Sequence, residues 1–243
     1  SMRVDTADGL TNPATAGIDY DAITNGTVSF AAGDLSETDT VTINGDNLVE
    51  VDETFLVNLV NIVASGRNVS FAAGGESGLG TILNDDFTPV ADAGGAYTID
   101  EGAGLTLDGS GTSDADDVPG SLTYTWVVNG VTLDGTNSTD ATTSAPSLTW
   151  AQLNALGILD GPGASPYSVS LTVSDGTNVS TAATTTLSID NVAPVVVLDP
   201  VTGINENGTA VVTGTVTDPG QNDSHTVTIN WGDPYNGDES VFA

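Results

Sequence analysis

Four carboxylates fall within one short stretch of the chain, directly before an alternating apolar run. They are Asp46, Glu50, Asp52 and Glu53, and the run that follows, Thr54 to Val60, has the period of two that is typical of a β-strand. Two carboxylates about 4 Å apart repel each other by about 4 kcal/mol at an effective dielectric constant near 20. No Lys or Arg lies in this stretch. The pattern predicts either a cation site at the mouth of a strand or a solvated acidic loop.

The residue types available as ligands indicate which cation such a site would take. The chain has no Cys and one His, so its ligand set consists of oxygen atoms. Oxygen-only sites suit hard cations, whereas zinc and copper prefer nitrogen and sulfur ligands. We therefore expect calcium.

The overall charge excludes several classes of partner. The 243 residues include 33 Asp and Glu against 2 Lys and Arg, a formal net charge of −31. Nucleic acids and anionic membrane surfaces both need basic patches, so neither is an expected partner. Hydrophobic residues make up 38% of the chain and occur in alternating runs, which predicts folded domains rather than disorder. No apolar run approaches the roughly 20 residues of a membrane span, so membrane insertion is not expected.

The first part of the chain has the pattern of a β-sandwich. Short alternating segments are separated by Gly, Asn and Asp, which favour turns. Strands are predicted at Gly26–Phe30, Thr40–Ile43, Thr54–Val60 and Gly80–Leu83.

Residues 1–88 resemble the Calx-beta domain family. The motifs that carry the resemblance are Ala16–Tyr20, Gly26–Phe30, Asp46–Phe55 and Gly80–Asp86. The resemblance implies a seven-stranded sandwich related to the immunoglobulin fold, with calcium held by acidic loops at one end. The implied ligands are Asp19, Asp46, Glu50, Glu53, Asp85 and Asp86. Family members carry one or two strands ahead of the region that begins at Asp8, so we expect an N-terminal strand to be missing.

Beyond Pro89 the sequence repeats with a period close to 105 residues. Asp85, Pro89, Glu101 and Trp126 correspond to Asp190, Pro194, Glu206 and Trp231. The period predicts a second sandwich at 89–191 and a partial third from 192 to 243. The strands of the second sandwich are predicted at Leu105–Leu107, Leu122–Val128, Tyr167–Ser174 and Thr184–Ile189. A short helix is predicted over Leu148–Leu156, capped by Ser147 and ended by Gly157.

The second segment resembles PKD-type, immunoglobulin-like modules of large exported bacterial proteins. The matching motifs are Ala91–Tyr97, Leu107–Gly111, Leu122–Trp126 and Val173–Gly176. The family's acidic motif after the tryptophan is altered here, which removes two acids. Asp114, Asp116 and Asp175 are candidates that are either cation ligands or polar residues of surface loops.

The linkers between the predicted domains are a further source of ligands. Asp85–Pro89 and Asp190–Pro194 are equivalent in the repeat, and a Glu follows each proline by twelve residues. Asp190 and Glu101 are therefore candidate ligands of a cation shared between neighbouring domains. Such a cation would stiffen the array.

Catalytic interpretations of the sequence are weak. Ser224 and His225 are adjacent in sequence, which is not the geometry of a hydrolase triad, and no nucleophile elbow is present. Trp126 and Trp231 occupy equivalent mid-strand positions and are predicted to be core residues, and Trp150 is expected to pack from the helix. We therefore predict no enzymatic activity.

Together these features predict an all-β chain of tandem immunoglobulin-like sandwiches in an elongated array. The expected function is that of a calcium-binding structural and adhesive module, at the bacterial cell surface or otherwise extracellular. Its expected partners are calcium, neighbouring repeats and a surface protein or polysaccharide. Two alternatives remain: accessory modules of a secreted hydrolase, and a regulatory calcium sensor.

Overall fold

A computed structural model of the chain describes residues 1–116, 121–159, 166–220, 222–230 and, for the backbone, 239–242. The chain forms two compact units, Ser1–Thr88 and Pro89–Ala243. β-strands are the main regular secondary structure of both, and the described residues contain a single short helix. The predicted all-β class is confirmed.

The first unit contains a four-stranded antiparallel sheet in the order β2-β1-β3-β4. Its strands are β1 Met2–Asp8, β2 Gly26–Val28, β3 Glu53–Val60 and β4 Ser77–Ile82. The sequence did not predict β1, which lies between β2 and β3. Its inward residue Val4 is 1% exposed, whereas Arg3 and Asp5 form an ion pair on the other face at 2.6 Å. With a single strongly buried apolar position, β1 has a weak alternating pattern.

One predicted strand of this unit is wrong. Thr40–Ile43 forms no ladder, and only Ile43 makes an isolated bridge, to Tyr20. The amide of Asp21 also donates to the carbonyl of Thr42 at 2.9 Å. This segment is therefore held by the loop at 15–21 rather than by a neighbouring strand.

The core of the first unit is small and aromatic. Ala14, Tyr20 and Phe55 are buried together, and the two rings stack with centroids 5.1 Å apart. Phe55 lies opposite Gly80 in the ladder between β3 and β4, and its ring covers that glycine. The missing side chain at Gly80 thus makes room for the ring.

The second unit contains a sandwich of a five-stranded and a two-stranded sheet. The large sheet has the order β5-β11-β10-β7-β8, and the small sheet pairs β6 with β9. The strands are β5 Tyr97–Asp100, β6 Leu105–Thr106, β7 Thr123–Val128, β8 Val131–Thr132, β9 Ser147–Leu148, β10 Tyr167–Ser174 and β11 Ala183–Asp190. The first strand, β5, runs parallel to the last, β11, and the other pairs are antiparallel. The architecture is that of an immunoglobulin-like sandwich.

Side chains from both sheets form one core. Trp126, Val169, Leu171 and Leu187 are fully buried on the large sheet and meet Leu148 of the small one. The predicted core position of Trp126 is confirmed, and Trp150 packs at the margin of this cluster. Trp231 lies outside the described residues.

The helix of the second unit begins later than predicted. It is α1, Trp150–Ala155, and Thr149 rather than Ser147 is its N-cap, in a capping box with Gln152. Ser147 and Leu148 instead form β9, because Leu148 is buried opposite Leu105. Gly157 follows the helix with φ +76°, the left-handed conformation expected at its end.

In the described part of the chain after residue 191, four strands form two antiparallel pairs. β12 Val195–Leu198 pairs with β13 Gly214–Thr217, and β14 Val227–Asn230 pairs with β15 Glu239–Phe242. These strands belong to the same compact unit as the sandwich at 89–190. The domain boundary predicted at residue 191 stays a prediction.

The packing of Phe55 over Gly80 gives a testable prediction. Gly80→Ala would place a methyl group against the ring and should destabilise the first unit by about 1–3 kcal/mol, the usual cost of overpacking. The control is Gly78→Ala on the same strand, where an added Cβ meets no atom within 4 Å. Hydrogen exchange of β3 and β4 peptides in the full chain should accelerate in the first variant only. Equal exchange in both variants would contradict the packing argument.

Candidate cation site

The acidic residues of the first unit converge on one pocket where β3 begins and β4 ends. Its charged lining residues are Asp19, Asp46, Glu50, Glu53, Asp85 and Asp86. Asp19, Asp46 and Glu50 each offer a carboxylate oxygen, and these atoms lie within 4.8 Å of one another. The loops thus bring together acids that are up to 67 residues apart in sequence.

Asp19 is fixed by its neighbour Tyr20. The Tyr20 ring is buried against Phe55, and its hydroxyl donates to Asp8 Oδ1 at 2.9 Å. Burial and the bond to Asp8 raise the pKa of Tyr20 to about 12. The Asp19 side chain accepts a hydrogen bond from the amide of Thr15 at 2.6 Å. Asp19 is therefore the buried member of the three clustered acids, whereas Asp46 and Glu50 are exposed.

The loop that carries Asp46 docks on the Asp19 loop through Asn44. The Asn44 amide donates to the carbonyl of Asp19 at 3.0 Å, and its side chain donates to the carbonyl of Ile18 at 2.9 Å. Asp46 Oδ1 accepts from the Leu48 amide at 2.7 Å, which shapes the following turn. These bonds set the position of Asp46 relative to Asp19.

Asn84 connects the remaining acidic segments. Its side-chain oxygen accepts from the Glu50 amide at 2.8 Å, and its own amide donates to Asp52 Oδ1 at 3.0 Å. Its side-chain nitrogen donates to the Asp86 carbonyl at 2.8 Å. One residue thus ties the stretch at 50–52 to the end of β4. Sequence reasoning missed both Asn84 and Asn44, although Asn84 stands directly before Asp85.

Neighbouring carboxylates in the pocket affect the ionisation of Glu53. Glu53 has a raised pKa, first because it is partly buried and then because Asp19, Glu50 and Asp46 are close. Neither Lys nor Arg is among the residues that line the pocket. A dense group of oxygen donors without a compensating positive charge fits a hard divalent cation. The residues present fit calcium, and Asp19, Asp46 and Glu50 are the acids whose carboxylate oxygens lie closest together.

The other predicted ligands of this unit lie around that group. Asp85 and Asp86 line the pocket, Asp85 exposed and Asp86 half-buried. Asp52 does not line it, and its carboxylate instead accepts from the Asn84 amide. Asp52 thus connects the acidic stretch to Asn84 instead of lining the pocket.

The candidates of the second unit are dispersed. Asp175 accepts from the amides of Thr177 and Asn178, both at 2.6 Å, and these bonds lower its pKa and shape the turn after β10. Burial raises the pKa of Asp114, which is close to Asp116. None of these three acids belongs to a group of three clustered carboxylates in the described part of the chain.

Glu101 and Asp190 meet through the backbone rather than through their carboxylates. The Glu101 amide donates to the Asp190 carbonyl at 3.0 Å, and Glu101 Oε2 accepts from the Val192 amide at 3.2 Å. Instead of Asp190, the Glu101 carboxylate has Asp218 and Asp223 as acidic neighbours within 4.8 Å.

Comparison with known families identifies the first unit. Residues 2–86 match the model of the Calx-beta domain, as the sequence motifs predicted. Calx-beta domains are calcium-binding β-sandwich modules, a non-catalytic domain type that is typical of extracellular or surface proteins. No curated protein matches the chain.

Solved structures match with low similarity. Drosophila OTK extracellular domains 3–5 share 11% identity over 78% of this chain and 52% of that one, with a TM-score of 0.32. The Ig1-2 module of the Drosophila receptor protein tyrosine phosphatase DLAR shares 9% identity over 78% of this chain and 84% of that one, with a TM-score of 0.27. Sidekick-1 immunoglobulin domains 1–4 share 12% identity over 88% of this chain and 51% of that one, with a TM-score of 0.30. The chain thus spans about half the length of the OTK structure.

Among the described residues, none of the helices has the length and hydrophobicity of a membrane span.

The raised pKa of Glu53 predicts a pH dependence without calcium. The folded chain keeps the Glu53 proton over a range in which the unfolded chain, with an ordinary value of 4.5, has lost it. The associated stability is therefore present at acid pH and is lost as the pH rises through the folded pKa. In chelator, Glu53→Gln should raise the melting temperature of the first unit at pH 7, and the gain should shrink toward pH 4.5. Calorimetry of Glu37→Gln, an exposed acid of the same unit, is the control, and an equal gain there would contradict a local cause.

Proposed function

We propose that residues 1–88 bind calcium through Asp19, Asp46 and Glu50, with Glu53, Asp85 and Asp86 beside them. The observation that carries the proposal is the convergence of three carboxylate oxygens within 4.8 Å in a pocket without Lys or Arg. The bound ion would supply the missing positive charge. It would also hold together the loop at 15–21, the loop at 44–53 and the end of β4.

The role of this ion is structural rather than catalytic. It stabilises a module of an exported protein, in which tandem sandwiches extend and present an adhesive surface. The Calx-beta match to residues 2–86 supports this placement, because such domains are typical of extracellular or surface proteins. A second part of the proposal is that calcium stiffens the chain of sandwiches at the bacterial cell surface. The cluster of acids at a strand mouth, directly before the linker at 85–89, supports it.

Calcium should bind the chelator-treated chain and raise the melting temperature of the first unit. At a free concentration one hundred times the dissociation constant, the stabilisation is about 2.7 kcal/mol, or on the order of 10 °C for a unit of this size. Glu50→Gln and Asp46→Asn should each weaken binding at least tenfold in calorimetric titration. Asp52→Asn is the matched control, because Asp52 lies in the same stretch outside the pocket and an amide oxygen can still accept from Asn84. An equal loss of calcium affinity in all three variants would reject Asp46 and Glu50 as ligands.

Stiffening by calcium has its own measurement. Small-angle scattering of the full chain should give a larger maximum dimension, with a narrower distribution, in calcium than in chelator. The Asp46→Asn, Glu50→Gln double variant should reduce that difference. An unchanged maximum dimension would reject the stiffening role and leave the binding site itself intact.

A further inference from the structure

A second group of acids lies in the second unit, outside the Calx-beta module. Glu101 follows β5 and is 4% exposed, Asp218 follows β13, and Asp223 lies in the same loop as Asp218. A carboxylate oxygen from each lies within 4.8 Å of the other two. Asp218 and Asp223 were not among the ligands predicted from the sequence.

The Asp218 side chain carries the argument beyond the clustering. It is 3% exposed, and its Oδ1 accepts a hydrogen bond from the Gly220 amide at 2.8 Å. Its Oδ2 is fully buried and has no hydrogen-bond partner among the residues that the structure describes. A buried carboxylate oxygen without a hydrogen bond is disfavoured, and a bound cation would satisfy it.

No permanent positive charge in this unit can supply the missing interaction. Arg67 is the last Lys or Arg in the sequence, so residues 89–243 contain none. His225 Nε2 lies 3.6 Å from Asp218 Oδ2, beyond hydrogen-bond distance, and is not part of the three-carboxylate group. One imidazole carries at most one positive charge, against three carboxylates in the group. The ligand set is therefore oxygen-based and calls for a divalent cation.

The close approach of the two loops depends on a glycine. Gly102 has φ +82°, and a Cβ added there would lie 2.9 Å from the Pro219 Cβ. Any larger residue would push the Asp218 turn away from Glu101. Glu101 also accepts from the Val192 amide, so the same carboxylate contacts the segment that leaves β11.

We propose that Glu101, Asp218 and Asp223 bind a calcium ion that fastens the segment beyond residue 191 to the loop after β5. This site shares its cation with the proposed function but does not depend on the Calx-beta pocket. The two sites can therefore be tested separately in the same chain.

The test uses the full chain with the first site disabled by Asp46→Asn and Glu50→Gln. In this background, calcium titrated into chelator-treated protein should still give a binding isotherm. Adding Asp218→Asn or Glu101→Gln should weaken the remaining affinity at least tenfold. Asp100→Asn, which removes the same charge one residue before Glu101 outside the cluster, should leave it within twofold. If Asp218→Asn and Glu101→Gln bind as tightly as the background, or if only zinc binds, the proposal is wrong.

Thermal melts distinguish loss of a ligand from loss of the fold. Without calcium, Asp218→Asn removes an uncompensated charge and should melt no lower than the background. With calcium, it should lack the rise in melting temperature that the background shows. A variant that melts lower in chelator, with an unchanged calcium-dependent rise, would show that the carboxylate has a purely structural partner and would overturn the site.

A variant that keeps every charge provides independent evidence. Gly102→Ala should displace the Asp218 turn and lower calcium affinity severalfold. Gly130→Ala has a similar φ of +79° but no atom within 4 Å of the added Cβ, so it controls for backbone strain alone. Equal affinity in the two variants would contradict the geometry. If the unmodified chain shows only the binding that Asp218→Asn removes, the Calx-beta assignment alone is rejected and the Glu101 site stands.

Discussion

Repulsion among clustered carboxylates that have no Lys or Arg beside them is the constraint that both units share. The chain has two Lys and Arg residues for 33 acids, and both are in the first unit. Arg3 is engaged by Asp5, and neither arginine lines the acidic pocket. In each unit the fold nevertheless brings three carboxylates within 4.8 Å of one another. The proposed divalent ions would offset the repulsion within each of these groups.

In both clusters neutral residues bring the acids together, but the residues that do so differ between the two units. In the first unit Asn44 docks the Asp46 loop on the loop that carries Asp19, and Asn84 ties the stretch at 50–52 to the end of β4. In the second unit Gly102 permits the approach of the Asp218 turn, and the Val192 amide orients Glu101. In both, neutral residues position the acids. The placement of the carboxylates is therefore a property of the scaffold and not of the acids alone.

Sequence reasoning succeeded where the signal is local. The alternation at Thr54–Val60 and Tyr167–Ser174 identified long strands, and the motifs around Asp46 identified the family of the first unit. It failed where tertiary contacts decide. β1 has one buried apolar residue, the segment at 40–43 bonds to a loop, and Leu148 pairs with Leu105 instead of starting a helix. The neighbours of Glu101 could not be predicted, because Asp218 and Asp223 lie more than one hundred residues away along the chain.

The parallel pairing of β5 with β11 has a mechanical consequence. The chain enters the sandwich at the start of β5 and leaves the sheet at the end of β11, and the ladder between them runs from Tyr97 and Leu187 to Asp100 and Asp190. When two parallel strands are pulled from opposite ends, the load runs along the ladder, so its hydrogen bonds must break together. An antiparallel pair pulled from one end opens one bond at a time. Tension applied to the two ends of this sandwich would therefore load the whole ladder at once, and its last β5 residue, Asp100, is directly followed by Glu101.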